Sequence, residues 1–148
     1  MVMVRRRAVL AGITAGASAL ALRSLPAAAQ SVALKQALLD LEDGVSWAEV
    51  SPVLVAQRPI WINKVRCSRS PGELGAQLLR LEAGMGWSSV QNSWRTRRAG
   101  WVAAVQAAAT DHGVAALLVE LEGVTQWSGM RPVWRTARAP WLARASAI

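Results

Sequence analysis

Residues 78–105 read LLRLEAGMGWSSVQNSWRTRRAGWVAAV, with Trp87, Trp94 and Trp101 at seven-residue steps. The same pattern returns forty residues to either side. Trp47, Leu54 and Trp61 precede it, and Trp127, Trp134 and Trp141 follow it. All eight tryptophans of the chain belong to this pattern. The correspondence needs no gaps. Leu34, Leu74 and Val114 align, as do Leu38, Leu78 and Leu118, then Leu41, Leu81 and Leu121. Glu42, Glu82 and Glu122 are identical, and so are Arg58, Arg98 and Arg138. A fixed period of this length is the mark of stacked supersecondary units, each too small to bury its own apolar face.

Each unit opens with a helix, because its apolar residues fall at i, i+4 and i+7 on one helical face. Ser70-Pro71-Gly72-Glu73 is a start signal: a capping serine, a proline suited to the first helical position, and a glutamate that completes a capping box. Thr110 or Asp111 serves the third unit in the same way and Ser31 the first. Gly44, Gly84 and Gly123 are the expected stops. The second half of each unit carries the tryptophans, again at helical steps. Ser46-Trp47-Ala48-Glu49 offers another capping box there. Pro59, Gly100 and Pro140 lie one or two residues before the last tryptophan. A proline removes a backbone donor and crowds the preceding turn, so a kink or a break is expected at these points. Pro52 and Pro132 mark alternative starts. Two kinked helices or three short ones per unit both satisfy the pattern.

Strand-forming residues are thinly spread, and Phe and Tyr are absent. The expected fold is all-α: one domain over residues 30–148, built from three units of about 31–69, 70–109 and 110–148. An open α-solenoid-like arc and a small closed bundle are both compatible with it. The unit length resembles that of HEAT and armadillo repeats, whose specific residue patterns are not present.

The first 29 residues are of another kind. Arg5, Arg6 and Arg7 precede the uncharged run Ala8–Leu22, and Ala27-Ala28-Ala29 supplies small residues for cleavage after Ala29. This is the three-part plan of an export signal. Arg6-Arg7-Ala8-Val9-Leu10 resembles the twin-arginine signal, two arginines followed by any residue and two apolar ones. Arg5 and Ala11 depart from the residues usual beside that motif. The resemblance implies that Arg6 and Arg7 address the chain to the export machinery, which carries it folded to the periplasm or outside the cell. A membrane anchor needs about 20 apolar residues, and this run has fifteen. Four of the 17 basic residues and none of the nine acids lie in the signal, so the remainder carries +4 rather than the +8 of the whole chain. Cys67 is the sole cysteine, which excludes an internal disulfide.

Few residues offer chemistry. No Cys/His cluster has metal-ligand spacing, and no nucleotide loop or cofactor motif is present, so no cofactor, metal or catalytic residue is expected. Cys67 aligns with Ala107 and Ala147, a small packed position. The repeated Glu42/Arg58, Glu82/Arg98 and Glu122/Arg138 pairs read as a structural brace within each unit. The competing reading is a ladder of arginines for an anionic partner. Most tryptophans are expected in the core. Trp61, Trp101 and Trp141, each beside a helix breaker, are expected to be the more exposed ones. Together with Arg95 and Arg135 they form the expected partner contact. Export and the modest charge argue against nucleic acid, leaving a protein or an anionic envelope polymer as partner. The expected function is an exported, non-catalytic Trp/Arg repeat that binds another macromolecule. The alternatives are an accessory subunit co-exported with a larger enzyme, and a small hydrolase using the glutamates.

Overall fold

The computed structural model describes residues 26–46 and 52–148, and of residues 52–54 the backbone alone. The signal with Arg6 and Arg7, and Trp47, lie outside the described residues, as does the side chain of Leu54. The described chain is all-α, with six helices: α1 Ala27–Gly44, α2 Pro52–Cys67, α3 Pro71–Gly84, α4 Trp94–Ala107, α5 Asp111–Val124 and α6 Trp134–Ser146. Single 3-10 turns, Trp87–Ser89 and Trp127–Gly129, precede α4 and α6.

The first helix of each unit forms the inner layer. α1, α3 and α5 touch one another pairwise. Their shared faces are the triplets read from the periodicity: Leu34, Leu38 and Leu41; Leu74, Leu78 and Leu81; Val114, Leu118 and Leu121, all with almost no exposed surface. Burying each such side chain contributes roughly 1.5–3 kcal/mol. The second helix of each unit packs outside, in the groove between two inner helices. α2 touches α1 and α3, α4 touches α3 and α5, and α6 touches α5 and α1. The last contact joins the third unit to the first, so the bundle is closed.

Two further sets of bonds run round the same circuit. Trp61 Nε1 donates to the Gln77 carbonyl at 2.9 Å, Trp101 Nε1 to Leu117 at 3.0 Å, and Trp141 Nε1 to Ala37 at 3.0 Å. The acceptors are themselves forty residues apart, and each indole bolts its own unit to the next. Near the 3-10 turns the chain passes extended between neighbours. Val90 bridges Thr125, and Val45 bridges Met130. The bonds there are Gln91 N–H to Val124 O, 2.8 Å, Gln126 N–H to Ser89 O, 2.8 Å, Ser46 N–H to Gly129 O, 2.8 Å, and Arg131 N–H to Gly44 O, 2.7 Å.

Helix ends agree with the sequence in part. Ser70 Oγ accepts from the Glu73 N–H and Thr110 Oγ1 from the Gly113 N–H. Ser31 caps nothing: α1 already starts at Ala27, after Pro26, and Ser31 sits within it. α2 and α6 run unbroken through Pro59 and Pro140. In α6 the segments on either side of the proline are pinned by buried Trp134 and Trp141, which offsets the lost backbone bond. The glycine stops also have another cause. Val45, Met85 and Thr125 follow the inner helices in extended conformation, with no left-handed residue. Gly44 is required by space: a Cβ there would lie 2.5 Å from Cε3 of the Trp134 ring.

Candidate binding surface

In the second and third units the second half is not one helical face. The chain leaves the 3-10 turn at Val90 and Met130 to pair with the neighbouring backbone, and re-enters a helix only at Trp94 and Trp134. This break separates two kinds of tryptophan. Trp94, Trp101, Trp134 and Trp141 are core. They form edge-to-face pairs, Trp94 with Trp101 at 5.2 Å and Trp134 with Trp141 at 5.3 Å between ring centroids. Trp87 and Trp127 stand outside, 52% and 49% exposed.

The expected exposure of Trp101 and Trp141 is therefore corrected: they retain 3% and 1% of their surface. Each sends its N–H to a carbonyl of a neighbouring inner helix, which holds the ring against the core despite the adjacent helix breaker. Neither can meet a partner. Trp61 is half-buried, with its N–H engaged in the same way.

Arg95 and Arg135 do stand at the surface, in the first turns of α4 and α6. Cations there oppose the helix dipole, and neither first turn holds an acid. Each has instead an aromatic face: the Arg95 guanidinium lies 5.3 Å from the Trp87 ring centroid and that of Arg135 5.5 Å from Trp127. The two 3-10 turns touch. Their approach is close, since a Cβ on Gly129 would come within 2.7 Å of Ser89 Cβ. Two half-exposed indoles, each with a guanidinium over its ring, thus stand on adjoining turns. A groove of about 570 Å³ opens next to Trp127, between Gln91, Thr125, Ser128 and Arg138. In the first unit Val55 occupies the place of Arg95.

The repeated Glu/Arg residues meet inside their units. Arg98 Nε and Nη2 donate to the two carboxylate oxygens of Glu82 at 2.7 and 2.8 Å. Arg138 grips Glu122 the same way at 2.6 and 3.1 Å, and Arg58 pairs with Glu42. Trp94 and Trp134 add their indole N–H to the Glu82 and Glu122 carboxylates, both at 3.2 Å. All three glutamates are buried, so each needs these donors to offset lost hydration. The Glu82 hydrogen bond raises the Arg98 guanidinium above its usual value, against a smaller lowering by burial. The glutamates are anchored to their own arginines.

Elsewhere, Cys67 is exposed and weakly bonded to Asn63. Among the described residues no group of His, Cys, Asp and Glu is placed to hold a metal ion, and no helix is long and apolar enough to cross a membrane. Asp111 Oδ1 is buried without a hydrogen-bond partner among the described residues, and burial raises its carboxyl, with Lys35 partly offsetting this.

Residues 74–135 match a family described as a domain of unknown function (DUF8799), from the inner face of α3 to the start of α6. The match covers both exposed Trp/Arg pairs and less than half of the chain. No curated protein and no solved structure matches.

Proposed function

We propose that this chain is an exported, non-catalytic binding module whose contact surface is the bundle end carrying Trp87, Arg95, Trp127 and Arg135, and whose partner is an anionic polymer of the cell envelope. One observation carries this reading. Two large rings, each about half exposed and each with a guanidinium over its face, stand on 3-10 turns that touch. Such a surface stacks on flat groups and neutralises charge at once. The arginines of the brace do not contribute, being committed to Glu42, Glu82 and Glu122. Export rests on the resemblance of residues 6–10 to the twin-arginine signal, which lies outside the described residues.

Titration of the full chain with polygalacturonate, followed by tryptophan emission, tests the surface. Emission should change saturably, less so in high salt. Neutral dextran should have no effect. The double variants Trp87→Ala/Trp127→Ala and Arg95→Ala/Arg135→Ala should each remove the response while melting as the parent does. An unchanged response in both would place the contact elsewhere. Equal responses to polygalacturonate and dextran would remove the anionic partner. For export, Arg6→Lys with Arg7→Lys keeps the charge and should leave the chain in the cytoplasm. Its delivery to the periplasm would contradict the twin-arginine reading.

A further inference from the structure

Where the third unit meets the first, Arg131 closes the space between them. Its N–H donates to Gly44 O at 2.7 Å, and its Nη1 lies 3.2 Å from the Asp43 carbonyl and 3.4 Å from Asp43 Oδ1. At the junction of the second and third units the corresponding residues are Gln91 and Gly123. The backbone bond is kept, Gln91 N–H to Val124 O at 2.8 Å. The ion pair is lost. Gln91 Nε2 lies 3.5 Å from Gly123 O, and a Cβ on Gly123 would meet nothing within 4 Å. Both residues line the groove of about 570 Å³ beside Trp127. That volume lies in the range of small-molecule sites, about 300–1,000 Å³.

The lining offers acceptors as well as donors. Gln91 Oε1 has no partner among the described residues. Thr125 Oγ1 gives its proton to Leu121 O at 2.8 Å, which leaves it only lone pairs for a ligand. Ser128 Oγ, 3.5 Å from Gln126 Oε1, is weakly held and can turn either way. The two charged residues of the groove, Glu122 and Arg138, are bonded to each other. Free positive charge comes from Arg135, whose guanidinium lies over the Trp127 ring and makes no ion pair among the described residues. An anion made of acceptors alone, such as a phosphate chain, can use Arg135 but not the oxygens of Gln91 and Thr125. A ring carrying both hydroxyls and a carboxylate can use all of them, because each hydroxyl donates and accepts.

We propose that this groove is a subsite for one hexuronate residue of an acidic polysaccharide, its hydroxyls on Gln91, Thr125 and Ser128 and its carboxylate at Arg135. The half-exposed Trp127 indole takes the apolar C–H face of the sugar ring. The assignment rests on the Trp87/Trp127 surface being the contact for an anionic polymer, and it names that polymer as one with hydroxyl groups.

Calorimetric titration of the full chain with hexagalacturonate and with a linear polyphosphate of equal length tests it. Hexagalacturonate should bind at least about tenfold tighter, the worth of one or two hydrogen bonds to neutral partners. Gln91→Arg with Gly123→Asp should erase that preference by restoring the contact of Arg131 with Asp43. The pair leaves the net charge as it was, and it installs residues the chain already carries at equivalent positions. On the unaltered protein, the side-chain amide resonances of Gln91 should shift with hexagalacturonate and stay fixed with polyphosphate. Equal affinity for the two chains, a preference that survives the substitutions, or a silent Gln91 would each overturn the sugar subsite and leave the anionic contact standing. Binding of neither chain would overturn both.

Discussion

Trp141 Nε1 donates to the backbone carbonyl of Ala37, 3.0 Å away in space and 104 residues away in sequence. This bond joins the last helix to the first and repeats the bonds of Trp61 and Trp101 at the other two junctions. Closure gives the third unit two neighbours, as the second has, and the apolar triplet of each inner helix is buried. The two described 3-10 turns, of the second and third units, touch each other and carry the half-exposed Trp87 and Trp127.

Trp94 and Trp87 should respond oppositely to truncation. Trp94→Ala removes a fully buried ring and a hydrogen bond to Glu82. It should destabilise by about 3–5 kcal/mol. Trp87→Ala removes a half-exposed ring and its contact with Arg95, a loss below about 1 kcal/mol. Urea unfolding of the two variants checks the contrast. Similar midpoints would contradict the division into core and surface tryptophans.

The inner helices were legible because one face of each repeats at helical spacing, and the residues at that spacing are the buried ones. The pairing of Glu82 with Arg98 was legible because both recur at a constant separation. Closure was not legible: an offset of forty is the same in an arc and in a ring. The exposed tryptophans were missed for a different reason. Seven-residue steps continue from Trp87 to Trp94 even though the backbone between them leaves the helix. Turn-forming residues gave the available cue, Asn92-Ser93 in one unit and Pro132 in the next.

The Glu82–Arg98 pair should behave as a brace. Glu82 is 6% exposed and the Arg98 side chain 38%, so water screens one partner only. Breaking a deeply buried pair costs about 3–5 kcal/mol, and this partial exposure brings the expectation for Glu82→Gln down to about 1–3 kcal/mol. In a double-mutant cycle with Arg98→Met the coupling should exceed about 1 kcal/mol. Coupling near zero would release the arginines of all three units as candidates for ligand binding.

Asp111 should make its own contribution to stability grow in acid. Burial raises its carboxyl above the ordinary 3.8, despite Lys35. Between the ordinary and the raised value the folded chain holds more protons than the unfolded one. Stability from this group therefore rises as pH falls through that window and is lost again as pH rises. Asp111→Asn removes the effect. The melting-temperature advantage of the variant over the parent should be largest at neutral pH and shrink toward pH 4. An advantage that grows in acid would contradict the raised value.

The closed bundle is tested most directly by hydrogen exchange at the indole nitrogens, read one tryptophan at a time by NMR. Trp61, Trp101 and Trp141 each donate to a helix carbonyl of the following unit, while Trp87 and Trp127 stand in water. The Trp141 indole proton should exchange as slowly as that of Trp101, at a rate set by opening of the fold rather than by solvent access. Those of Trp87 and Trp127 should exchange fast. A Trp141 proton that exchanges as fast as theirs, beside a protected Trp101, would mean that the third unit does not close on the first.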